Sequence, residues 1–268
     1  MAADPAARWL EALEKRHLKD LTFPEVRRAL QALSSLYVER RGKLAEGAAL
    51  EGAGKRAAFA LYYGPLHFLL VRQIVRALGA ATPRPARVVD LGCGTGAAGG
   101  ALALEAGGAV VTAVDRNGWA VDETRWTLAQ LGLPGSARKG AVPAVPDIGR
   151  RDAVVAAFTV NELPQAVRER LRDRLVAAAE AGARVLVVEP LARRALGWWP
   201  EWEEVFVGRG GRHDEWRFPA DLPPLVARLD RAAGLDHRVL TGRSLYLPGV
   251  RSPTPPVSPP PAAPAPRR

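Results

Sequence analysis

Val88-Val89-Asp90-Leu91-Gly92-Cys93-Gly94-Thr95-Gly96 decides the fold. Apolar residues run into one acid and then into a G-x-G-x-G turn, the pattern of a buried strand giving way to a helix. Glycines at such a turn let the backbone bend sharply and approach a ligand that any Cβ would hold off. The helix that follows turns its free N–H groups toward that ligand. Val110-Val111-Thr112-Ala113-Val114-Asp115 is a second apolar strand ending in a carboxylate, Asp115, which stands twenty-three residues beyond Gly92. An acid at the tip of the second strand is placed to accept both hydroxyls of a ribose, so the two elements together predict a nucleoside site.

Outward from this motif the pattern alternates. After the strand Arg87–Leu91 come a small-residue helix over Thr95–Glu105, a strand over Ala109–Asp115, a helix over Gly118–Leu131 and a weak strand near Ser136–Lys139. A strong strand over Ala153–Val160, a helix over Gln165–Glu180 and a strand over Arg184–Glu189 follow, then a helix over Pro223–Ala233 and one or two closing strands within His237–Leu247. Such βαβα order predicts an α/β, Rossmann-like, doubly wound and mostly parallel sheet with helices on both faces. The residues before it read as helices. Trp9, Leu10, Leu13 and His17 mark one, and Val26, Leu30, Leu33 and Tyr37 mark another that opens at Phe23 and ends at Glu39-Arg40-Arg41-Gly42. A third spans Lys55–Leu78 with a kink at Gly64-Pro65. The predicted organisation is an N-terminal helical region over 1–52, the α/β domain over 53–247 and a disordered tail over 248–268, where nine of 21 residues are proline.

Composition narrows the chemistry. Hydrophobic residues make up 48% and charged residues 25% of the 268, a balance that excludes a fibrous or disordered chain. Cys93 is the single cysteine and the four histidines are scattered, so neither a disulfide nor a metal site is predicted. The longest apolar stretch, Ala57–Val71, is shorter than a membrane span requires, and no membrane contact is expected. Met1–Asp20 carries Asp4, Glu11 and Glu14 and has no apolar core, which predicts neither a secretory signal nor a transit peptide and therefore a cytoplasmic location. The net charge of +10 is uneven. Residues 1–85 hold 14 basic and 8 acidic side chains, residues 86–247 hold 21 and 20, and residues 248–268 hold 3 and none. Basic ends suit a partner carrying phosphates, so RNA or ribosome contact through the N-terminal region stands beside a small-molecule acceptor.

Gly92, Gly94 and Ala97 also satisfy the dinucleotide pattern G-x-G-x-x-A, but Asp90 stands where dinucleotide folds carry an apolar residue. The stretch Val88–Gly96 followed by Asp115 closely resembles the class I S-adenosylmethionine-dependent methyltransferase superfamily, over roughly Ala86–Leu247. The resemblance implies that Gly92, Gly94 and Gly96 pass beneath the methionine and ribose of the cofactor, S-adenosylmethionine, that Asp90 supports its amino group, and that Asp115 takes the ribose hydroxyls. Many members place an acid after the third strand to meet adenine. Here that stretch is Arg138-Lys139-Gly140-Ala141, leaving backbone and the apolar Ala141 and Val142 to hold the base. The fourth strand runs into Asn161-Glu162-Leu163-Pro164, which in the superfamily faces the transferred methyl, so Asn161 and Glu162 are the candidates for orienting an acceptor or taking its proton. The bland alternative has Asn161 capping the next helix and Glu162 facing solvent.

A narrower resemblance rests on Tyr62-Tyr63-Gly64-Pro65, Phe158–Leu163 and Val187-Val188-Glu189-Pro190. These are similar to the methyltransferase-like family of the mitochondrial ribosomal small subunit, without that family's iron-sulfur cysteines. It implies Tyr62 and Tyr63 closing over the cofactor. What the resemblances imply is methyl transfer by in-line displacement to RNA or a small molecule, with a non-catalytic S-adenosylmethionine-binding ribosome- or RNA-associated factor as the alternative. Elsewhere, Trp198, Trp199, Trp202, Trp216 and Phe218 could wall or lid a planar acceptor but are expected to pack a core, His213-Asp214-Glu215 could supply a base but is expected to form a solvated turn after Gly210-Gly211, and His67 is expected to sit satisfied in the core. Cys93 has no neighbouring base in sequence and is expected to be inert.

Overall fold

Alternation along β1 (Arg87–Leu91) divides the molecule into two cores, because successive side chains of a strand point to opposite faces. Val88 joins a cluster with Val111, Val155 and Leu186 under the helices of one face, while Val89 and Leu91 join Val154, Val185 and Val187 under the other. The structure is a computed structural model that describes residues 4–39, 50–142, 147–191 and 197–249, the side chains of 36–39 excepted.

β1 pairs in parallel with β2 (Val110–Asp115) on one side and β4 (Ala153–Ala157) on the other, Val88 lying opposite Val111 and Val89 opposite Val154. β3 (Gly135–Lys139) adds outside β2 and β5 (Arg184–Glu189) outside β4, both parallel. β7 (Val239–Leu247) then runs antiparallel beside β5, and β6 (Arg212–Pro219) antiparallel beside β7. The seven-stranded order is β3-β2-β1-β4-β5-β7-β6. Strand order reverses between β1 and β4, the place where an open α/β sheet leaves a crevice at its C-terminal edge.

Helix α5 (Ala97–Glu105) follows the glycine turn and is buried from Ala97 to Ala103. Its small residues let it lie close: a Cβ on Gly99 would come within 2.6 Å of Asp90 Oδ2. Helix α6 (Gly118–Gln130) covers the same face, and α7 (Gln165–Glu180) with α8 (Trp199–Val207) covers the other, where Trp199, Trp202 and Phe206 are buried as core.

The N-terminal helices pack onto this unit. In α1 (Pro5–His17), capped by Asp4 accepting from the Ala6 N–H, Trp9 is buried with its ring centroid 5.1 Å from that of Phe68. His17 Nε2 lies 2.8 Å from Glu123 of α6, and Arg16 reaches the same carboxylate at 3.3 Å. Val26, Leu30 and Leu33 of α2 (Phe23–Glu39) are fully buried; the Tyr37 side chain lies outside the described residues. The third helical segment is continuous: α3 (Ala53–Ala58) passes through a π-helical turn at Phe59–Tyr63 into α4 (Gly64–Leu78), and the Gly64 N–H reaches the Phe59 carbonyl. The wide turn takes up the irregularity expected as a kink, since Pro65 falls where α4 starts and needs no intrahelical donor.

Two predicted elements change. β4 stops at Ala157, because Phe158 has φ +57° and cannot continue a strand; Val160–Glu162 forms a 3-10 turn instead. His213-Asp214-Glu215 is not a solvated turn but part of edge strand β6, with His213 Nδ1 2.8 Å from Glu203. Strand pairing with β7 overrides the local glycine signal. α9 (Pro224–Ala232) lies between β6 and β7 in sequence. The proline-rich tail from 250 onward lies outside the described residues, as does the segment 40–49 after α2. Among the described residues, no helix is long and apolar enough to cross a membrane and no group of three His, Cys, Asp or Glu side chains is placed to hold a metal ion.

Candidate active site

The loop after β1 is fixed by the strands around it. The N–H groups of Gly92 and Cys93 both donate to the Val114 carbonyl, at 2.9 and 3.1 Å. Gly92 has φ +68°, and Thr159, which donates to the Gly92 carbonyl at 3.2 Å, occupies the space a Cβ there would need. Glycine is therefore required twice over, by conformation and by contact. Asp115 closes the other side: its Oδ2 accepts from the Gly94 N–H at 2.9 Å and its Oδ1 from the Asn117 N–H at 2.8 Å. Asn117 in turn caps α6 by accepting from the Trp119 N–H at 2.9 Å. Each Asp115 oxygen keeps a lone pair free of these bonds, since an ionised carboxylate offers about four acceptor sites.

A cavity of about 600 Å³ opens over this loop. Gly92, Gly94, Asp115 and Ala141 line it, as do Asn161 and Glu162 from the turn after β4, so the structure brings these sequence-predicted residues together. Asp90 and Gly96 stand behind the wall. The Asp90 carboxylate accepts from the Gly99 N–H at 2.9 Å and is 1% exposed, so it braces β1 against α5 rather than reaching a ligand's amino group. Burial pushes that carboxyl up to about 7. Gly96 packs against Thr124.

Asn161 does not cap α7, whose first turn has Pro164 at its cap position and no side-chain bond there. Its N–H instead donates to Glu189 Oε1 at 3.1 Å. Glu189 ends β5 and lines the cavity with Glu162. Desolvation pushes Glu189 up to about 8, reinforced by the charge of Glu162 and opposed by the backbone donors. Desolvation likewise lifts Glu162 to about 7, with Arg116, 3.9 Å away, opposing.

The opposite wall is aromatic. Phe59, Tyr63, His67 and Phe158 line it, the last two stacked with centroids 3.9 Å apart. His67 is thus a cavity residue rather than a satisfied core histidine, and desolvation holds its imidazole down to about 3. Tyr63 lines the cavity as well, but Tyr62 turns away, is fully buried, and donates to Asp230. Cys93 is buried, its thiol held well above the usual range by desolvation, which agrees with an inert role. Phe158 holds a left-handed backbone conformation that costs a bulky residue about 1–3 kcal/mol and persists only where its surroundings impose it.

Sequence reasoning missed Phe59, Phe158, Glu189 and His237 as cavity residues. Glu189 had a usable signal, an acid at the C-terminal end of a parallel strand beside β4; the others are assembled from distant segments and had none.

Residues 88–182 match a family described as a methyltransferase domain. No curated protein sequence matches the chain. Among solved structures, the mitomycin 7-O-methyltransferase MmcR is 17% identical, with 91% of this chain and 73% of that chain covered and a TM-score of 0.50. The magnesium protoporphyrin IX methyltransferase of Synechocystis PCC 6803, solved with S-adenosylmethionine bound, is 15% identical over 81% of this chain and 95% of that one, TM-score 0.44. The plantazolicin methyltransferase BpumL, solved with S-adenosylhomocysteine and a monoazolic desmethyl analogue, is 9% identical over 88% and 99%, TM-score 0.46. At such identity the likeness to MmcR is one of fold.

Proposed function

We propose that this chain, whose residues 88–182 match a methyltransferase domain, is a class I S-adenosylmethionine-dependent methyltransferase and that the methyl group goes to a small acceptor built on a planar ring. The residues of this chain fit the cofactor. The two lone pairs left on Asp115 suit a ribose diol, the Gly92–Gly94 backbone has no side chain to hold off the methionine arm, and Ala141 and Val142 offer apolar contact to adenine. Asp115 and the partly ionised Glu162 offset the single cation Arg116 of the described lining, while Glu189 holds its proton near neutrality, so the lining has no excess of positive charge to oppose a sulfonium.

The observation that carries the acceptor reading is the continuity of the cavity from this loop to the wall of Phe59, Tyr63, His67 and Phe158. Flat aromatic faces favour a flat ring by stacking. The described lining offers a phosphate backbone one cation only, Arg116, and several N-terminal cations are engaged within the molecule: Arg16 with Glu123, and Arg72 and Arg76 with Glu105. S-adenosylmethionine supplies a methyl group already activated by its charged sulfur, so what this chain contributes is alignment and exclusion of water. Asn161 and Glu162, on the turn fixed by Glu189, would orient the acceptor atom in line with the methyl group.

Labelled methyl transfer into fractionated cell extract tests this. Label is expected in a small-molecule fraction. Label in RNA would overturn the planar small-acceptor reading, and binding of cofactor with no transfer to any fraction would favour the non-catalytic factor.

A further inference from the structure

Two histidines line the cavity, in contrasting surroundings. His67 is packed among Phe59, Tyr63 and Phe158, where burial keeps its ring neutral and weakly basic. His237, at the junction of α9 and β7, is tied to a carboxylate. Its Nδ1 lies 2.7 Å from Asp230 Oδ1 and 2.8 Å from the Tyr62 hydroxyl, and its backbone N–H donates to Asp230 Oδ2 at 3.0 Å. Although burial pushes the other way, hydrogen bonds from Tyr62 and His237 hold the Asp230 carboxyl below its usual range. Asp230 is therefore an acceptor toward both, which places the imidazole proton on Nδ1 and the lone pair on Nε2. Nε2 has no partner among the described residues. The flanking Asp236 and Arg238 are exposed and pair with each other at 3.0 Å.

We propose that His237 is the general base of the transfer, taking onto Nε2 the proton of an aryl hydroxyl acceptor, with Asp230 and Tyr62 as the residues that position it. This rests on the planar-acceptor reading above. A ring hydroxyl must shed its proton as its oxygen is methylated. The oxygen's electron pair forms the bond to the methyl carbon, the carbon–sulfur pair returns to sulfur, and the proton passes to Nε2. Asp230 compensates the resulting imidazolium, which later yields its proton to water. A carboxylate-oriented histidine is the arrangement that makes such a base effective.

The experiment uses 4-nitrophenol, whose ionised form absorbs visibly, with S-adenosylhomocysteine filling the cofactor end. Calorimetry reads binding and absorbance reads ionisation. Wild-type protein is expected to bind the phenol and raise its ionised-to-neutral ratio at least about tenfold over His237→Gln, the effect of a countercharge within a few ångströms. Asp230→Asn should give an intermediate ratio. Absence of phenol binding would overturn the planar-acceptor reading and the base assignment with it. Binding with equal ionisation in wild type and His237→Gln would overturn the base assignment alone. Unaltered S-adenosylhomocysteine affinity reports that each variant is folded. Should His237→Gln not fold, nitrogen-15 spectra of wild-type protein decide: a proton on Nδ1 in the free protein, and on both nitrogens once the phenol binds, is expected. A proton on Nε2 in the free protein would overturn the proposal.

Discussion

Asp115→Asn separates a cofactor-binding carboxylate from a merely structural one. Both Asp115 oxygens are occupied by backbone donors, Gly94 N–H at 2.9 Å and Asn117 N–H at 2.8 Å. An amide has only one oxygen, so either flip of the substituted side chain sets its NH2 against a backbone N–H. The orphaned N–H costs about 1–3 kcal/mol, and a ribose hydroxyl that had donated to the lost oxygen forfeits a charge-assisted bond worth roughly 1.5–3 kcal/mol. The first cost falls on the free and bound protein alike and lowers thermal stability. The second falls on binding and weakens S-adenosylhomocysteine by on the order of 10–100-fold. Calorimetric titration beside a thermal melt measures both. A lowered melt with affinity within about threefold of wild type would refute the ribose assignment and leave Asp115 as a brace for the glycine loop.

Glu189→Gln tests the buried carboxyl at the end of β5. Its ordinary value of 4.5 is raised to about 8 in the fold, so the native state holds a proton that the unfolded chain releases, and stability falls as pH rises through that window. The glutamine keeps an oxygen for the Asn161 N–H and removes the titration, so the variant should melt on the order of 10 °C above wild type once the carboxyl ionises and level with it in mild acid; a melting difference that does not change with pH across the window would show that the fold does not raise the Glu189 carboxyl. Gly92→Ala meets Thr159 and a left-handed backbone together, and denaturant unfolding should show a loss of roughly 2 kcal/mol or more with cofactor binding abolished. Full stability in that variant would mean the loop is not held by Thr159. Phe158→Ala removes the face stacked on His67, so 4-nitrophenol affinity should fall about tenfold, the worth of an aromatic pair, with S-adenosylhomocysteine unaffected; undiminished phenol binding would remove the aromatic wall from the acceptor site.

What was legible in the sequence is what a single segment encodes. Val88–Gly96 and Val110–Asp115 carry the strand, the turn, the acid and their spacing in contiguous residues, and the sheet they predict is present with its helices on both faces. β6 was not legible, because Arg212–Pro219 is polar and preceded by two glycines, and it becomes a strand only through pairing with β7. The early end of β4 was hidden for a related reason. Ala153–Val160 is one apolar run, and nothing local to Phe158 announces a left-handed residue; stacking on His67 and the contact of Thr159 with Gly92 accompany it across the fold.

The same distinction separates the two ends of the cavity. The proposed cofactor end is built by consecutive loops of one βαβ unit, with cavity-facing groups either backbone or the tip of a strand, so a short motif suffices to specify it. The proposed acceptor end draws Phe59, Tyr63 and His67 from a helical segment before the sheet, Phe158 and Glu162 from after β4, and His237 from before the last strand. Each of those segments has its own structural demands: the π-helical turn aims Phe59 and Tyr63 inward while sending Tyr62 to Asp230, and Glu189 fixes the turn that carries Asn161. Acceptor specificity can therefore change by substitution in any of these segments without disturbing the glycine loop, and the loop cannot report it. The Tyr62–Asp230–His237 bonds join the helical segment to the start of β7 across this end. A change of acceptor chemistry would accordingly show first in these bonds and in Phe158, not in Gly92, Gly94 or Asp115.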